Sequence, residues 1–458
     1  MDKTVLIKVV ATVALVLTGG ILAVIATPSP SNTYTKGILM DFGDYDIEYL
    51  GVDDGSRNAV DTLKDLADYY SISVTWEGNN IVSAVKEDVT YPAVGSDKKW
   101  TLFVTNEGSL DWTKYDGNPG NMHIGDYSAV CWGLCSDEQT PTRGVDATGV
   151  CYYGHGQSTR VVSLAPSCTE TICASGAGSI IVGVDEFSNY PSRIREDVEA
   201  GKIVSIGGYT NPSYESIAKL YPDMVIGVGD QSVHLSVIEK MRAHGVYCLA
   251  MFNGDSIETI MDNTYMVGAA MNYQLKSIQT ITQIQDALDT LEGIIESGSV
   301  HSSDVMMSLS TSKSPWVAGG NTYASDVIDF TQCKNIYQPE KGWVMVNSET
   351  VASRDPDYII VVTSDISATE SDYNNMIASL SAEWRNTEAF EKGNIYLLSG
   401  AGEDLASRPS TRIAQFTELM CRILQPSVFS DIEIPHYIGD NYRDYLYYTK
   451  ELGFDDVY

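Results

Sequence analysis

Histidine is scarce, basic residues are outnumbered, and no catalytic signature is present. The 458 residues contain only 6 histidines (His123, His155, His234, His244, His301 and His436), and none has a neighbour at metal-ligand spacing. There is no G-x-S-x-G, H-E-x-x-H or G-x-x-x-x-G-K-[ST] run. The sequence signals of a hydrolase elbow, a zinc protease and a phosphate loop are therefore missing. Gly176-Ala177-Gly178 lacks the third glycine of a dinucleotide fingerprint. Lys and Arg number 29 against 61 Asp and Glu, a formal charge of -32. Such a surface repels phosphate backbones and anionic lipid, which excludes nucleic acid as a partner. The 8 cysteines are too sparse for a disulfide scaffold and include no C-x-x-C zinc spacing. Cys131, Cys135 and Cys151 lie close enough for one bridge, which export permits. Cys248, Cys333 and Cys421 sit in apolar runs and read as small core hydrophobes.

What is present begins with one long apolar run. Val9 to Ala26 carries no charge and follows Lys3 and Lys8. It is about long enough to cross the hydrocarbon core, with its N-terminus inside. The small residues at its end also fit a cleaved signal; either way the remainder is exported. No cysteine follows until Cys131, so a lipid on a cysteine near the cleavage point is not expected. The expected organisation is an anchor or signal over 1–27, a Pro/Ser/Thr linker over 28–37 and a small α+β domain over 38–157. In that domain Val60, Leu63, Leu66 and Ala67 keep helical spacing, while "SISVTWEG", "KKWTLFVTNEG" and "DYSAVCWGLC" read as strands.

From Arg160 onward, apolar runs alternate with helical stretches, the pattern of a parallel sheet covered by helices. The alternation pauses once. Ile278, Ile281, Ile284, Leu288, Leu291 and Ile295 keep 3-to-4 spacing in a stretch that predicts one long helix. The fold class is therefore α/β: two Rossmann-like lobes with central parallel sheets, 158–262 and 299–435, joined by one long helix, 263–298. The small α+β domain and an N-terminal transmembrane helix precede them, and a tyrosine-rich tail, 436–458, follows.

The two lobes repeat a unit. "YESIAKLYPDMVIGV" and "SETVASRDPDYIIVV" match at Glu215/Glu349, Ala218/Ala352, Pro222/Pro356, Asp223/Asp357 and Ile226/Ile360. A glutamate in a first helical turn complements the helix dipole, which accounts for each one separately. An acidic knob at the same place in each half also suits docking onto a two-fold partner bearing cations. Aromatic residues gather after strands: Tyr190, Tyr209 and Phe252 in the first lobe, Trp316, Tyr323 and Trp343 in the second. Ligands of open α/β sheets bind beyond the carboxyl ends of strands, so these residues are expected to line a cleft for a large, flat, partly apolar ligand. Ser167, in "APSCTE", is expected to edge that cleft with backbone N–H donors. Neither Ser167 nor Cys168 has an evident base nearby, so no enzyme is expected, nor a cofactor held by the chain itself.

Residues 160 to about 430 resemble the substrate-binding proteins of ABC importers for cobalamin and iron-siderophores. The resemblance rests on "RVVSLAPSCTETICASGAGSIIVGVDEFSNYP" and "IVSIGGYTNPSYESIAKLYPDMVIG", and more weakly on "SETVASRDPDYIIVV". It implies docking on a permease with its ATPase through Glu215 and Glu349, outside the cell. Residues 38–157 look like the C-terminal part of transcobalamin, on "NAVDTLKDLADYY", "KKWTLFVTNEG" and "GDYSAVCWG". That second resemblance tilts the expected ligand toward a corrinoid; alternatives are a ferric siderophore or haem, with any metal arriving inside the ligand. A surface adhesive or sensory protein is the competing class.

Overall fold

A computed structural model of the chain describes residues 36–43, 47–52, 56–67, 70–105, 112–127, 129–136 and 158–452. The apolar run, most of the linker, Cys151 and the last residues of the tail lie outside the described residues. No helix among the described residues is long and apolar enough to cross a membrane.

The small domain holds β1 (Lys36–Asp41), β2 (Ile47–Val52), α1 (Ala59–Ala67), β3 (Ile72–Glu77), β4 (Asn80–Lys86), β5 (Val89–Tyr91), β6 (Lys99–Thr105), β7 (Thr113–Lys114) and β8 (Ala129–Cys135). The helix and the β3, β6 and β8 strands fall where the sequence periodicity puts them. One sheet runs β2-β1-β8-β6-β7, and β3-β4-β5 form an antiparallel meander. Ile38, Met40, Leu63, Trp100 and Trp132 form the core between them.

The first lobe contains β9 (Val161–Ser163), α2 (Pro166–Ala174), β10 (Ile181–Val184), α3 (Ser192–Glu199), β11 (Val204–Ser205), β12 (Gly207–Gly208), β13 (Asn211–Pro212), α4 (Tyr214–Lys219), β14 (Met224–Val228), α5 (Ser232–Ala243) and β15 (Tyr247–Met251). Its sheet, β11-β10-β9-β14-β15, is parallel at every pairing. Its central strands β9 and β14 are covered on both faces and read as apolar runs; every residue of β14 is buried.

Two helices follow, where the sequence suggests one element over 263–298. They are α6 (Ile257–Met271) and α7 (Gln274–Ser297), separated by Asn272 in the left-handed conformation at φ 64°. Asparagine tolerates that geometry at little cost, so it ends one helix and lets the next begin. The hairpin closes tightly at Gly268, where any side chain would collide with Ser277. The 24 residues of α7 reach roughly 36 Å at 1.5 Å per residue. Near its start, Thr280 donates to the Ala174 carbonyl of the first lobe. Farther along, Ile284 and Leu288 enter the core of the second lobe.

That second lobe contains β16 (Asp304–Ser308), β17 (Trp316–Ala318), α8 (Tyr323–Phe330), β18 (Lys334–Asn335), β19 (Trp343–Met345), α9 (Ser348–Arg354), β20 (Tyr358–Val362), α10 (Glu370–Ser379), α11 (Ala382–Arg385), α12 (Glu388–Lys392), β21 (Ile395–Leu398), α13 (Ala401–Ser407), α14 (Ile413–Leu424) and β22 (Tyr437–Ile438). Its sheet, β19-β17-β16-β20-β21-β22, is mixed: β16, β20, β21 and β22 run parallel, and β17 is antiparallel to both neighbours.

The small domain packs on the helical hairpin. Leu39, Phe103, Trp112, Cys131 and Cys135 join Tyr265, Ala269 and Ile281 in one buried cluster. Cys131 and Cys135 are both buried there, spending their apolar character on this contact.

Candidate functional site at the lobe junction

The sequence repeat has a structural meaning. The strands β14 and β20, which follow the repeated helices α4 and α9, each lie parallel to the first strand of their lobe. Each helix is followed by a left-handed residue, Tyr221 or Asp355, just before Pro-Asp. The aspartate then pins the start of the first strand. Asp223 accepts from the Thr159 and Arg160 amides, at 2.8 and 3.1 Å, and Asp357 accepts from the Asp304 amide at 2.9 Å. Glu215 and Glu349 both sit exposed in the first turns of these helices, capped by Ser213 and Asn347. Neither makes a capping bond itself; the caps are the preceding side chains.

At the carboxyl ends of the strands the two lobes touch. The contact centres on Glu170 of α2, whose side chain is 1% exposed. It accepts from Arg412 Nε (2.9 Å) and Nη2 (2.6 Å), from Arg408 Nη1 (3.0 Å) and from the Ser410 hydroxyl. Burial works to raise its carboxyl pKa, but Arg412 and then Arg408 outweigh that and hold it below the usual range. Gly254, in the loop after β15, lets the second lobe come this close: a Cβ there would collide with the Pro409 ring.

The loop after β10, "DEFSNYP", forms the first lobe's side of the junction. Asp185 accepts from the Phe187 amide and the Ser188 hydroxyl, closing the turn. Ser188 continues to Thr169 and Ser163 through 2.7 Å hydrogen bonds, fixing the loop to α2 and β9. The loop thereby presents Asn189 to Arg408 and Asp404, both at 2.8 Å. The Tyr190 hydroxyl accepts from Arg443 Nη2 at 2.7 Å, and its ring centroid lies 4.3 Å from the Arg412 guanidinium carbon.

The other expected site residues divide by burial. Tyr209 is half-buried against His234, ring centroids 5.0 Å apart. His234 Nδ1 accepts from the Val228 amide, so Nε2 donates to the Tyr209 carbonyl. Burial lowers its pKa, keeping this neutral form, while burial raises that of the Tyr209 phenol. Trp316 is 46% exposed, beside the carboxyl end of β16 and paired in register with exposed Met345. Trp343 is half-buried, 6.5 Å from the ring of Tyr323. Phe252 and Tyr323, by contrast, are 3% and 4% exposed. The Phe252 backbone is tied both ways to the Asn263 amide, and the Tyr323 hydroxyl donates to the Ala406 carbonyl. Their rings serve the cores of their lobes rather than a surface. Ser167 is buried at 8% beside Cys168, whose thiol pKa burial pushes upward. A protonated, enclosed thiol is a poor nucleophile.

Sequence reading missed the junction's ionic centre and also Phe187, 55% exposed in the same loop as Tyr190. Phe187 had the signal that found Tyr190, an aromatic following a strand. Among the described residues, no group of three His, Cys, Asp or Glu is placed to hold a metal ion.

Comparison with known proteins agrees with this architecture. Residues 161–401 match the family described as "Periplasmic binding protein". An uncharacterized ABC transporter substrate-binding lipoprotein of Bacillus subtilis is 23% identical over 277 residues, covering 59% of this chain and 82% of its own. A cobalamin-binding protein of Halobacterium salinarum is 22% identical over 280 residues, 60% of this chain and 72% of its own. The crystal structure of a periplasmic heme binding protein from Pseudomonas aeruginosa superposes with a TM-score of 0.51 at 19% identity, covering 59% of this chain and 94% of that one. With its two sheets, linking helix and matched segment taken together, the chain belongs to the periplasmic binding protein family.

Proposed function

We propose that this chain is the extracellular substrate-binding component of an ABC importer and that its cargo is a corrinoid of the cobalamin type. The observation that carries the proposal is the junction itself. The loop over 185–191, carrying Phe187 and Tyr190, meets the Arg408–Arg412 loop of the other lobe there, and Tyr209 and Trp316 are further partly exposed aromatics of the two lobes. Aromatic faces suit a broad macrocycle, and polar donors suit its amide-bearing rim. The similarity to a cobalamin-binding relative over 60% of the chain supports the corrinoid assignment. Glu215 and Glu349, exposed at matching places, are the docking points for the permease, and the apolar run at residues 9–26 ties the protein to the membrane.

A ferric siderophore or haem is the second reading. It is favoured by Arg443, a half-buried guanidinium beside Tyr190, because a guanidinium suits an anionic chelate. Titration of the full-length chain with cyanocobalamin, cobinamide, hemin and a ferric hydroxamate separates the two. Saturable binding of a corrinoid is expected. Binding of hemin or the hydroxamate alone would transfer the assignment to the second reading, and binding of none would remove both.

A further inference from the structure

The segment after α14 returns to the second lobe as a strap. It adds β22 to the sheet edge beside β21 and continues over residues 439–452. Glu418, with no exposed side-chain surface, fastens it. Its carboxylate accepts from the backbone amides of Tyr447 (2.7 Å), Tyr448 (3.2 Å) and Thr449 (2.8 Å), and from the Thr449 hydroxyl (2.7 Å). Gln415 donates to the Thr449 carbonyl, and the buried side chains of Tyr442 and Leu446 enter the core of the lobe. A buried carboxylate spent on consecutive backbone amides fixes a course for the chain, since leaving either side unpaired would be costly. Between these fastenings stands Arg443. Its Nε donates to the Tyr442 hydroxyl at 3.3 Å, and its Nη2 crosses to the Tyr190 hydroxyl of the other lobe at 2.7 Å. The family match ends at residue 401, so this contact comes from a part of the chain the match does not cover.

We infer that the C-terminal strap is a positioning element of the inter-lobe site: Arg443, held in place by the strap, sets the Tyr190 ring for cargo. The inference rests on the proposed cargo cleft and deepens it. Tyr190 sits on a loop closed by Asp185 but is itself tethered by side chains of the opposite lobe, Arg412 near its ring and Arg443 at its hydroxyl. A ring preset in its bound orientation loses less freedom when cargo arrives, and that saving appears as affinity. Arg443 acts through Tyr190 rather than by touching cargo.

The test has a cargo-free arm and a binding arm, both on the full chain. In the first, hydrogen–deuterium exchange is compared between wild type and Arg443→Gln. Faster exchange in residues 185–191 is expected; unchanged exchange would overturn the inference whatever the cargo is. In the second, cobinamide and hemin affinities are measured for Arg443→Gln, Tyr190→Phe and the double variant. Each single change is expected to weaken binding about tenfold, and the double no more than the weaker single, because both remove one hydrogen bond. Multiplicative losses would overturn the positioning role, since Arg443 would then act independently of Tyr190. Should Arg443→Gln fail to fold, Arg443→Met, which keeps the length of the side chain and removes the donors, carries both arms. If wild type binds neither probe, the cargo reading falls, while the exchange arm still decides the tether.

Discussion

Glu170 shows how much a single buried carboxylate can organise. It lies in the first lobe, and its oxygens accept from Arg408, Ser410 and Arg412 of the second. Removing one partner of such a pair strands the others without solvent, a cost of about 3–5 kcal/mol. Glu170→Gln should therefore lower stability by roughly that amount in urea unfolding at neutral pH. The sign of the pH dependence follows from the lowered carboxyl pKa. The ion pair's contribution is complete above the unfolded value, about 4.3, and is lost as pH falls through the lower folded value. The gap between wild type and Glu170→Gln should thus be level near neutrality and shrink in strong acid; a gap independent of pH would contradict the pairing. None of this was legible in the sequence, which marks Glu170 only as half of a Thr-Glu pair inside a helical pattern. Arg408 and Arg412 stand 238 and 242 positions away, and no periodicity links residues so distant. Phe252 and Tyr323 show the converse limit. Their place after a strand was readable, but the direction of the ring was set by tertiary packing. For Tyr323, the spacing to Val327 and Ile328 in α8 already carried the apolar stripe that turns it inward.

At the scale of elements, spacing was the reliable guide. The alternation from Arg160 gives the strands of both lobes, because a strand buried on both faces must be apolar throughout. The run of isoleucines and leucines gives α7, since a 3-to-4 spacing has no other regular solution over that length. The break at Asn272 was not seen: no glycine or proline marks it, and a left-handed asparagine supplies the turn instead. The helical hairpin this creates has one side for each lobe and a third for the small domain. Ile281 lies at that last contact, 1% exposed among Phe103, Trp112 and Tyr265. Ile281→Ala should cost about 2–5 kcal/mol of the small domain's attachment. Limited proteolysis should then cleave between the small domain and the lobes more readily while the lobes stay resistant; unchanged cleavage would mean that the docking lies elsewhere. The small domain meets α6 and α7 through these residues, and none of the site residues at the junction belongs to that cluster.

At the scale of the whole molecule, the repeated unit is the clearest message. Glu215/Glu349 and Asp223/Asp357 repeat together, but they do different work. The aspartates accept backbone amides and hold strand starts in each lobe, whereas the glutamates stand exposed on short helices. A helix-dipole role is worth only about 0.3–1 kcal/mol each, too little to matter to a chain of this size. Glu215→Ala combined with Glu349→Ala should therefore leave folding and cargo affinity close to wild type and abolish uptake by cells that depend on this protein. Normal uptake by the double variant would reduce both residues to helix-end electrostatics. The measurement that tests the central claim most directly is hydrogen–deuterium exchange of the full-length chain with and without cobinamide. If cargo sits between the lobes, residues 185–191 of the first and 408–412 of the second should gain protection together, at the same concentration of ligand. Protection of one lobe alone, or of the small domain alone, would contradict it.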